Sequence, residues 1–329
     1  MSLININPKF FFGWLFIICV NYFIILFLIY VLSAILLVNN ITPNIKLIQE
    51  YQRNFYIIGM RKIWHSRPEC VEFSKTQTYV PKEGSCNFSN IEFDITMSFN
   101  KLGRLSGHPI NENGNGVAIL GDSHSMGWGV NDNETFSYLL EKKIGRPVYN
   151  FGVSGYGTIR ELLRLKEANL LDKIDTIIIQ YCYNDYGENV GYDSKISLDV
   201  VKKKYEMLTK DSEYSVWKKF RKSFRYSSTI AKNVLTNKDS SMDFNHHNDA
   251  FIEVLKKFPF IQDKKIIVFY VNGYQQKFVN FPSGKSNIFN NLEYFDLDIE
   301  MDKKNFFLID GHLNFTGHKK IAEKLSKLF

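Results

Sequence analysis

The chain begins with a long apolar stretch. No charged residue occurs between Phe10 and Val38. A helix of this length would extend about 43 Å, which exceeds the ~30 Å hydrocarbon core of a bilayer. The stretch therefore predicts one transmembrane helix within residues 1–40. A cleaved signal peptide is the alternative, but the apolar run is far longer than its usual core of about 7–15 residues, and no Ala-x-Ala-like site follows.

Short apolar runs of strand length recur further along the chain, and segments with helical spacing separate several of them. The runs are 117–120, 148–151, 176–181, 265–271 and 306–309, and the helical segments include 158–171 and about 315–328. Strands that alternate with helices favour a parallel sheet with right-handed crossovers and helices on both faces. We therefore expect a flavodoxin-like three-layer α/β/α sandwich, preceded by the transmembrane helix.

This pattern divides the sequence into three parts. Residues 1–40 form the predicted anchor, and residues 41–114 form a membrane-proximal segment. Residues 115–329 contain the predicted α/β domain. A lysine-rich insertion, about 191–262, interrupts that domain between its third and fourth strands.

Four of the strand-like runs end in a polar or glycine-containing turn. The turns carry Ser123 (in Gly-Asp-Ser), Gly155, Asn184 and His312. Each residue taken alone also has a purely structural interpretation. Ser123 could be a helix N-cap, and Gly155 could simply allow a tight turn. Asn184 could form a hydrogen bond within its loop, and His312 could help to cap the final helix. Ligands bind at the carboxyl ends of strands in open α/β sheets. The four residues in this order therefore indicate a catalytic site.

The order and spacing of these turns resemble the SGNH (GDSL-like) hydrolase family over about residues 115–329. The resemblance implies that Ser123 is the nucleophile and that His312 is the base. It also implies that Gly155 and Asn184 contribute to the oxyanion hole.

Two positions depart from the family pattern. The third family block usually has glycine two residues before the asparagine, and this chain has Cys182 there. The last block usually has aspartate three residues before the histidine, where this chain has Ile309. We expect Asp310, two residues before His312, to orient the imidazole. A backbone carbonyl in that role would leave a Ser–His dyad.

The chemistry of these side chains is that of acyl transfer. A hydroxyl that attacks an ester carbonyl creates negative charge on the carbonyl oxygen, and fixed donors stabilise that charge. The backbone N–H groups of Ser123 and Gly155 and the side-chain NH2 group of Asn184 are candidate donors. A neutral imidazole at His312 would accept the serine proton and return it to the leaving group.

The leading function is a membrane-anchored serine esterase that hydrolyses ester-linked acyl groups through an acyl-serine intermediate. O-acetyl groups on an envelope polysaccharide are the expected substrate. The same residues would serve an O-acyltransferase, and a site degraded at Cys182 and Ile309 would leave a catalytically silent glycan-binding module. No cluster of histidine, cysteine and carboxylate residues has metal-ligand spacing, so we predict neither a metal nor a cofactor.

Cysteine usage bears on the location of the domain. Cys70 and Cys86 lie in a loop-rich stretch without zinc-ligand spacing, which predicts a disulfide, with two unpaired thiols as the alternative. A disulfide requires an oxidising compartment. We therefore expect a single-pass protein of a bacterial inner membrane, with its catalytic domain outside the cytoplasm.

The charge balance limits the possible partners. The formal net charge is +7, but the lysines are dispersed and no arginine–aromatic cluster occurs. Nucleic-acid binding is therefore not expected. The expected partners are an acyl-ester substrate and the membrane lipid around the N-terminal helix.

Overall fold

The computed structural model describes residues 8–101, 103–105, 115–191, 197–209, 216–236, 242–273, 278–297 and 302–329. The α helices in these ranges are α1 (Pro8–Val38), α2 (Lys46–Gly59), α3 (Ser123–Met126), α4 (Phe136–Ile144), α5 (Thr158–Glu167), α6 (Asp185–Gly191), α7 (Leu198–Thr209), α8 (Val216–Phe224), α9 (Ser227–Leu235), α10 (Phe244–Lys256) and α11 (Phe315–Leu325). The strands are β1 (Val71–Ser74), β2 (Thr78–Pro81), β3 (Gly84–Ser89), β4 (Asp94–Asn100), β5 (Gly103–Arg104), β6 (Gly116–Leu120), β7 (Val148–Asn150), β8 (Ile174–Tyr181), β9 (Met242–Asp243), β10 (Lys265–Tyr270), β11 (Phe278–Val279), β12 (Gly284–Lys285) and β13 (Leu292–Tyr294).

The chain forms two compact units. One contains Met1–Arg61 and Glu213–Asp239, and the other contains Lys62–Ser212 and Ser240–Phe329. Helices α8 and α9 therefore belong to the same unit as α1 and α2, whereas α10 belongs to the other. The lysine-rich insertion predicted at about 191–262 is thus shared between the two units.

The first unit is helical. From Phe12 to Val38, α1 is long and apolar enough to cross a membrane, a property that a signal sequence would share. The helices of this unit are linked by polar contacts as well as by packing. Tyr30 of α1 donates a hydrogen bond to Ser223 of α8, and the Ser223 hydroxyl donates to Asn54 Oδ1 of α2 at 2.6 Å.

The second unit is built on a nine-stranded sheet in the order β12-β13-β10-β8-β6-β7-β5-β4-β3. Its central strands β13, β10, β8, β6 and β7 are all parallel. Numbered along the chain, these five strands have the spatial order 2-1-3-4-5, which is the flavodoxin-like order. The predicted fold class is therefore confirmed.

Side chains of each central strand alternate between two cores, because successive residues of a strand point to opposite faces. In β6, Ala118 and Leu120 pack in the core that includes residues of α5 and α10. Val117 and Ile119 pack in the core that includes residues of α4 and α11. Helices thus cover both faces of the sheet, which gives the three layers.

The predicted membrane-proximal segment is divided between the two units: α2 belongs to the helical unit, and the strands that follow it extend this sheet. Strands β3, β4 and β5 continue it beyond β7 in antiparallel pairs. A disulfide joins Cys70, which precedes β1, to Cys86 in β3, and their Cα atoms are 5.9 Å apart. The antiparallel strands therefore belong to the same compact unit as the parallel strands.

The strand predicted at residues 306–309 is wrong. In the structure a single antiparallel bridge pairs Phe306 with Leu313, and the residues between them form a turn. The Phe307 N–H donates to the His312 carbonyl at 2.8 Å, and the Gly311 N–H donates to the Phe307 carbonyl at 3.0 Å. A short buried apolar run has the same sequence pattern in a turn as in a strand, and pattern alone does not separate them.

Candidate active site

The turn after β6 presents the Ser123 hydroxyl. Gly121 has φ +147°, and a Cβ atom there would lie 2.4 Å from the Ser125 hydroxyl, so the turn requires glycine. Asp122 caps α3 by accepting a hydrogen bond from the His124 N–H at 2.9 Å. Ser123 is thus the first residue of the helix and not its N-cap, and its hydroxyl is available for other contacts.

Ser123, His312 and Asp310 form a continuous line of contacts. The Ser123 Oγ atom lies 2.8 Å from His312 Nε2, and His312 Nδ1 is hydrogen-bonded to Asp310 Oδ1. An ionised carboxylate can only accept a hydrogen bond, so the proton of the neutral imidazole lies on Nδ1. The lone pair on Nε2 then faces the Ser123 hydroxyl.

Glycine at position 311 allows the short spacing between the aspartate and the histidine. Gly311 has φ +85°, a left-handed conformation that side chains with a Cβ rarely adopt. The chain reverses there, and the carboxylate of Asp310 reaches the imidazole of His312 across one intervening residue. The position that usually carries the family aspartate is Ile309, which is buried in this structure.

Trp128 makes a second contact to this carboxylate. Its Nε1–H donates to Asp310 Oδ2 at 3.4 Å, and its ring centroid lies 6.5 Å from that of His312. The Asp310 residue is only 5% exposed, so both of its oxygen atoms face protein donors. Trp128 lies in the Met-Gly-Trp-Gly stretch directly after the serine turn, and no sequence pattern predicted its role.

Gly155 lies in the turn that follows β7, beside the nucleophile turn. It has φ +78°, and its carbonyl accepts a hydrogen bond from Arg160. The preceding residue, Ser154, donates its N–H to Met126 Sδ at 3.3 Å, and its carbonyl accepts from the Tyr79 hydroxyl at 2.6 Å. These contacts hold the glycine turn against α3, at the carboxyl edge of the sheet.

Asn184 lies after β8 and contacts the residue before the serine. Its Nδ2–H donates to Asp122 Oδ2 at 3.4 Å, a long bond, and its side chain is exposed. Cys182, at the other position that departs from the family pattern, is buried, and burial raises the pKa of its thiol. The thiol is therefore protonated at neutral pH, as expected of a small core side chain.

Gln180 is a further structural residue of the site that was not predicted from the sequence. Its Oε1 atom accepts hydrogen bonds from the N–H groups of Asp122 and Ser125, both at 3.3 Å. Its Nε2–H donates to the Val271 carbonyl at 3.1 Å. Gln180 is fully buried and follows three consecutive isoleucines in β8, and a polar residue at that place in a buried run was the available signal.

Burial changes the pKa of several titratable groups near the nucleophile. It raises the pKa of the carboxyl groups of Glu161 and Asp185 well above the ordinary range, and the nearby charge of Asp122 acts in the same direction. Burial also lowers the pKa of His124, whose ring centroid is 4.9 Å from that of His312. A neutral His124 does not oppose the positive charge that His312 acquires when it accepts a proton.

The fold and the site define an α/β protein with a hydroxyl, an imidazole and a carboxyl group aligned at the carboxyl edge of its parallel strands. Residues 117–325 match the family model described as GDSL-like lipase/acylhydrolase. Because this match covers more than half of the chain, the protein belongs to that family. Family membership supports an ester-hydrolysing enzyme.

Solved structures with a similar fold were also found. One is a G-D-S-L family lipolytic protein from Desulfitobacterium hafniense, with 13% identity over 65% of this chain and 99% of that chain, and a TM-score of 0.34. Another is an acetyl xylan esterase, with 14% identity over 65% of this chain and 98% of that chain, and a TM-score of 0.30. A third is a GDSL-like lipase from Bacteroides thetaiotaomicron, with 14% identity over 66% of this chain and 89% of that chain, and a TM-score of 0.27.

Structural similarities with such low identities and TM-scores give no information about the substrate. Membership of the family therefore rests on the match to the family model. A comparison with curated protein sequences found no match.

Proposed function

We propose that this protein is a membrane-anchored serine esterase that hydrolyses ester-linked acyl groups, with Ser123 as nucleophile and His312 as general base. One observation carries the proposal. The Ser123 Oγ atom lies 2.8 Å from His312 Nε2, while the opposite ring nitrogen is hydrogen-bonded to Asp310. Side chains at hydrogen-bond distance with the base oriented by a third group are the signature of an activated nucleophile.

In the first half of the reaction, Ser123 Oγ attacks the ester carbonyl carbon and its proton passes to His312 Nε2. The tetrahedral intermediate then collapses, the bond from carbon to the alcohol oxygen breaks, and His312 returns the proton to that oxygen. The alcohol leaves and the acyl group remains on Ser123. Throughout, the Asp310 carboxylate stabilises the imidazolium form.

In the second half, water replaces the alcohol. His312 accepts a proton from the water molecule as its oxygen attacks the acyl carbon, and the proton then returns to Ser123 Oγ. The products are the free carboxylic acid and the restored hydroxyl. No cofactor enters either half of this reaction.

The oxyanion donors in this proposal are the backbone N–H groups of Ser123 and Gly155 and the Nδ2–H of Asn184. The Asn184 side chain is exposed, and its bond to Asp122 is long at 3.4 Å. In the proposed reaction, the Asn184 Nδ2–H would exchange this weak contact for the developing oxyanion. Removal of one such donor typically costs about 2.7–4 kcal/mol of transition-state stabilisation.

For the substrate we propose O-acetyl groups on an envelope glycan. Tyr183 and Tyr186 flank Asn184 in the chain and are 43% and 37% exposed. Exposed tyrosine rings have an apolar face and a polar edge. They would therefore suit a sugar ring whose ester lies at Ser123. A small acyl group also fits a nucleophile that is only 8% exposed.

The location is proposed from two observations. Helix α1 is long and apolar enough to anchor the chain in a membrane, here proposed to be a bacterial inner membrane. The disulfide between Cys70 and Cys86 is of the kind that persists in oxidising compartments. The catalytic unit would then lie outside the cytoplasm.

The test is covalent labelling of the detergent-solubilised protein with a fluorophosphonate, which reacts with activated serine hydroxyls. We expect the wild type to be labelled, and Ser123→Ala and His312→Ala to be unlabelled. Ser85→Ala, which removes an exposed hydroxyl on β3, is the matched control and is expected to label like the wild type. An unlabelled wild type, beside an esterase that labels, would exclude the proposed nucleophile.

A second measurement addresses the acceptor. Acetylated xylan or another O-acetylated polysaccharide is incubated with the protein, with and without an unacetylated sugar. Release of free acetate at the same rate in both cases supports hydrolysis. Acetylation of the added sugar in place of acetate release would instead identify a transferase.

A further inference from the structure

The hairpin between β3 and β4 places a carboxylate on the turn that carries the aspartate and histidine. Glu92 lies at the tip of this hairpin and is half-buried. Its Oε1 atom accepts a hydrogen bond from the Leu308 N–H at 2.7 Å. Its Oε2 atom accepts from the N–H groups of Ile309 at 2.9 Å and Asp310 at 2.7 Å. One carboxylate thus binds three consecutive backbone donors.

These three donors need a partner from outside the turn. The turn lies outside the sheet and has only one bridge, between Phe306 and Leu313. Ile309 and Asp310 are buried, so water does not replace a missing acceptor there. A buried N–H without a partner costs about 1–3 kcal/mol, so the turn would shift if the carboxylate were lost.

The neighbouring residue supports the same turn through its ring. Phe93 is buried, and its ring centroid is 5.2 Å from that of Phe307 and 5.6 Å from that of Trp128. Trp128 in turn donates to Asp310 Oδ2. The tip of the hairpin therefore holds the backbone of the turn through Glu92 and one side of the Asp310 carboxylate through Phe93 and Trp128.

We propose that Glu92 is a positioning residue that holds Asp310 and His312 in register with Ser123. The inference rests on the proposed function, because it gives Glu92 a role in orienting the general base. It also assigns a purpose to the antiparallel strands that precede the parallel sheet. Through Glu92 they supply the acceptors for three N–H groups of the turn, in addition to the hydrogen bonds that the turn makes within itself.

The carboxylate form of Glu92 is part of the proposed role. Burial raises the pKa of this carboxyl group, the three backbone N–H groups oppose that shift, and the nearby charge of Asp310 adds to it. An ionised carboxylate has enough lone pairs for three donors on its two oxygens. A neutral amide of the same shape has one acceptor oxygen, and its NH2 group would face at least one N–H of the turn.

The experiment compares fluorophosphonate labelling rates of Glu92→Gln and the wild type across pH, normalised to the folded fraction in each sample. A displacement of about 1 Å in a catalytic group can cost up to roughly 100-fold in rate. We expect Glu92→Gln to label roughly 10- to 100-fold more slowly. We also expect its pH profile to shift, because Glu92 binds the backbone N–H of Asp310, whose carboxylate is hydrogen-bonded to His312.

The matched control is Glu141→Gln. Glu141 is also a buried carboxylate, and it accepts from the Val148 N–H at 3.0 Å, at the amino end of β7 and away from the site. It should label at the wild-type rate with an unshifted profile. If Glu92→Gln does not fold, Glu92→Asp is measured instead, since it keeps the charge but shortens the reach, and the same slowing and shift are expected.

The outcomes separate the two proposals. If the wild type labels and the Glu92 variant matches it in rate and pH profile, the positioning role is overturned and the esterase proposal stands. A variant that only melts at lower temperature, with unchanged labelling of its folded fraction, likewise overturns the role. If the wild type itself does not label, both proposals fail.

Discussion

Replacement of Asp310 by asparagine tests whether this carboxylate orients His312. The residue is 5% exposed and faces two donors, His312 Nδ1–H and Trp128 Nε1–H. Asparagine has nearly the same shape but offers one acceptor and one NH2 donor. In either amide orientation, therefore, one N–H group of the site meets another N–H group instead of an oxygen.

The expected magnitude depends on the orientation of the amide. If its oxygen faces His312, the tautomer is kept but the charged hydrogen bond to the imidazolium is lost, which costs about 1.5–3 kcal/mol, or roughly 10- to 150-fold. If its NH2 group faces His312, the proton moves to Nε2 and the lone pair facing Ser123 is lost. Such tautomer errors reduce turnover by about 10⁴-fold, or about 5.4 kcal/mol.

The assay is hydrolysis of p-nitrophenyl acetate by the detergent-solubilised protein, with kcat and KM measured separately. We expect kcat to fall between roughly 10- and 10⁴-fold, the limits set by the two amide orientations. KM should change little, since the buried Asp310 does not face the open site. Asp263→Asn is the control, because its side chain is 71% exposed and forms an ion pair with the adjacent Lys264.

The reasoning would be refuted by an Asp310→Asn variant whose kcat remains within about threefold of the wild type, less than the loss of one charged hydrogen bond. That result would mean that a Ser–His dyad suffices for turnover. It would leave Ser123 and His312 as the reacting pair and remove Asp310 from the mechanism.

Three further predictions follow from the packing. Gly121→Ala should abolish fluorophosphonate labelling in folded protein, because the new Cβ would lie 2.4 Å from the Ser125 hydroxyl at φ +147°; normal labelling would show that the turn can relax. Loss of the Cys70–Cys86 disulfide in a double serine variant should lower the free energy of unfolding by about 3 kcal/mol, measured by denaturant titration with the reduced wild type as comparison. Burial lowers the pKa of His318 to about 3, so between about pH 6.5 and 3 the unfolded state binds a proton that the folded state does not, and the free energy of unfolding should fall as the pH drops through this range. In thermal melts His318→Gln should weaken this loss of stability at acid pH, and an unchanged pH dependence would contradict the role given to His318.

The sequence predicted the parallel core well because its signals are local. Strands such as β6 and β8 are short apolar runs with glycine or polar residues at their ends, and that pattern depends only on neighbouring residues. Alternation with amphipathic helices then leaves few ways to arrange them. The Gly-Asp-Ser turn was equally visible, because the turn conformation at Gly121 needs a residue without a Cβ atom.

The prediction failed where a contact joins residues far apart in the chain. The apolar run at 306–309 was expected to be a strand, but it forms a turn held by Glu92, more than 200 positions earlier. Gln180 also had no local pattern that would identify its partners, Asp122 and Ser125. Side-chain hydrogen bonds of this kind depend on which strands become neighbours.

The sequence by itself determined the apolar N-terminal segment, the α/β class and the chemical groups at the ends of the strands. It determined these because burial, periodicity and turn formation are properties of short segments. Only the tertiary structure decided that Ser123 lies 2.8 Å from His312, 189 positions away, and that Asp310 reaches the imidazole despite its short spacing. Those distances depend on the order of the strands and on the support of the final turn by the β3–β4 hairpin, and neither is encoded in a local pattern.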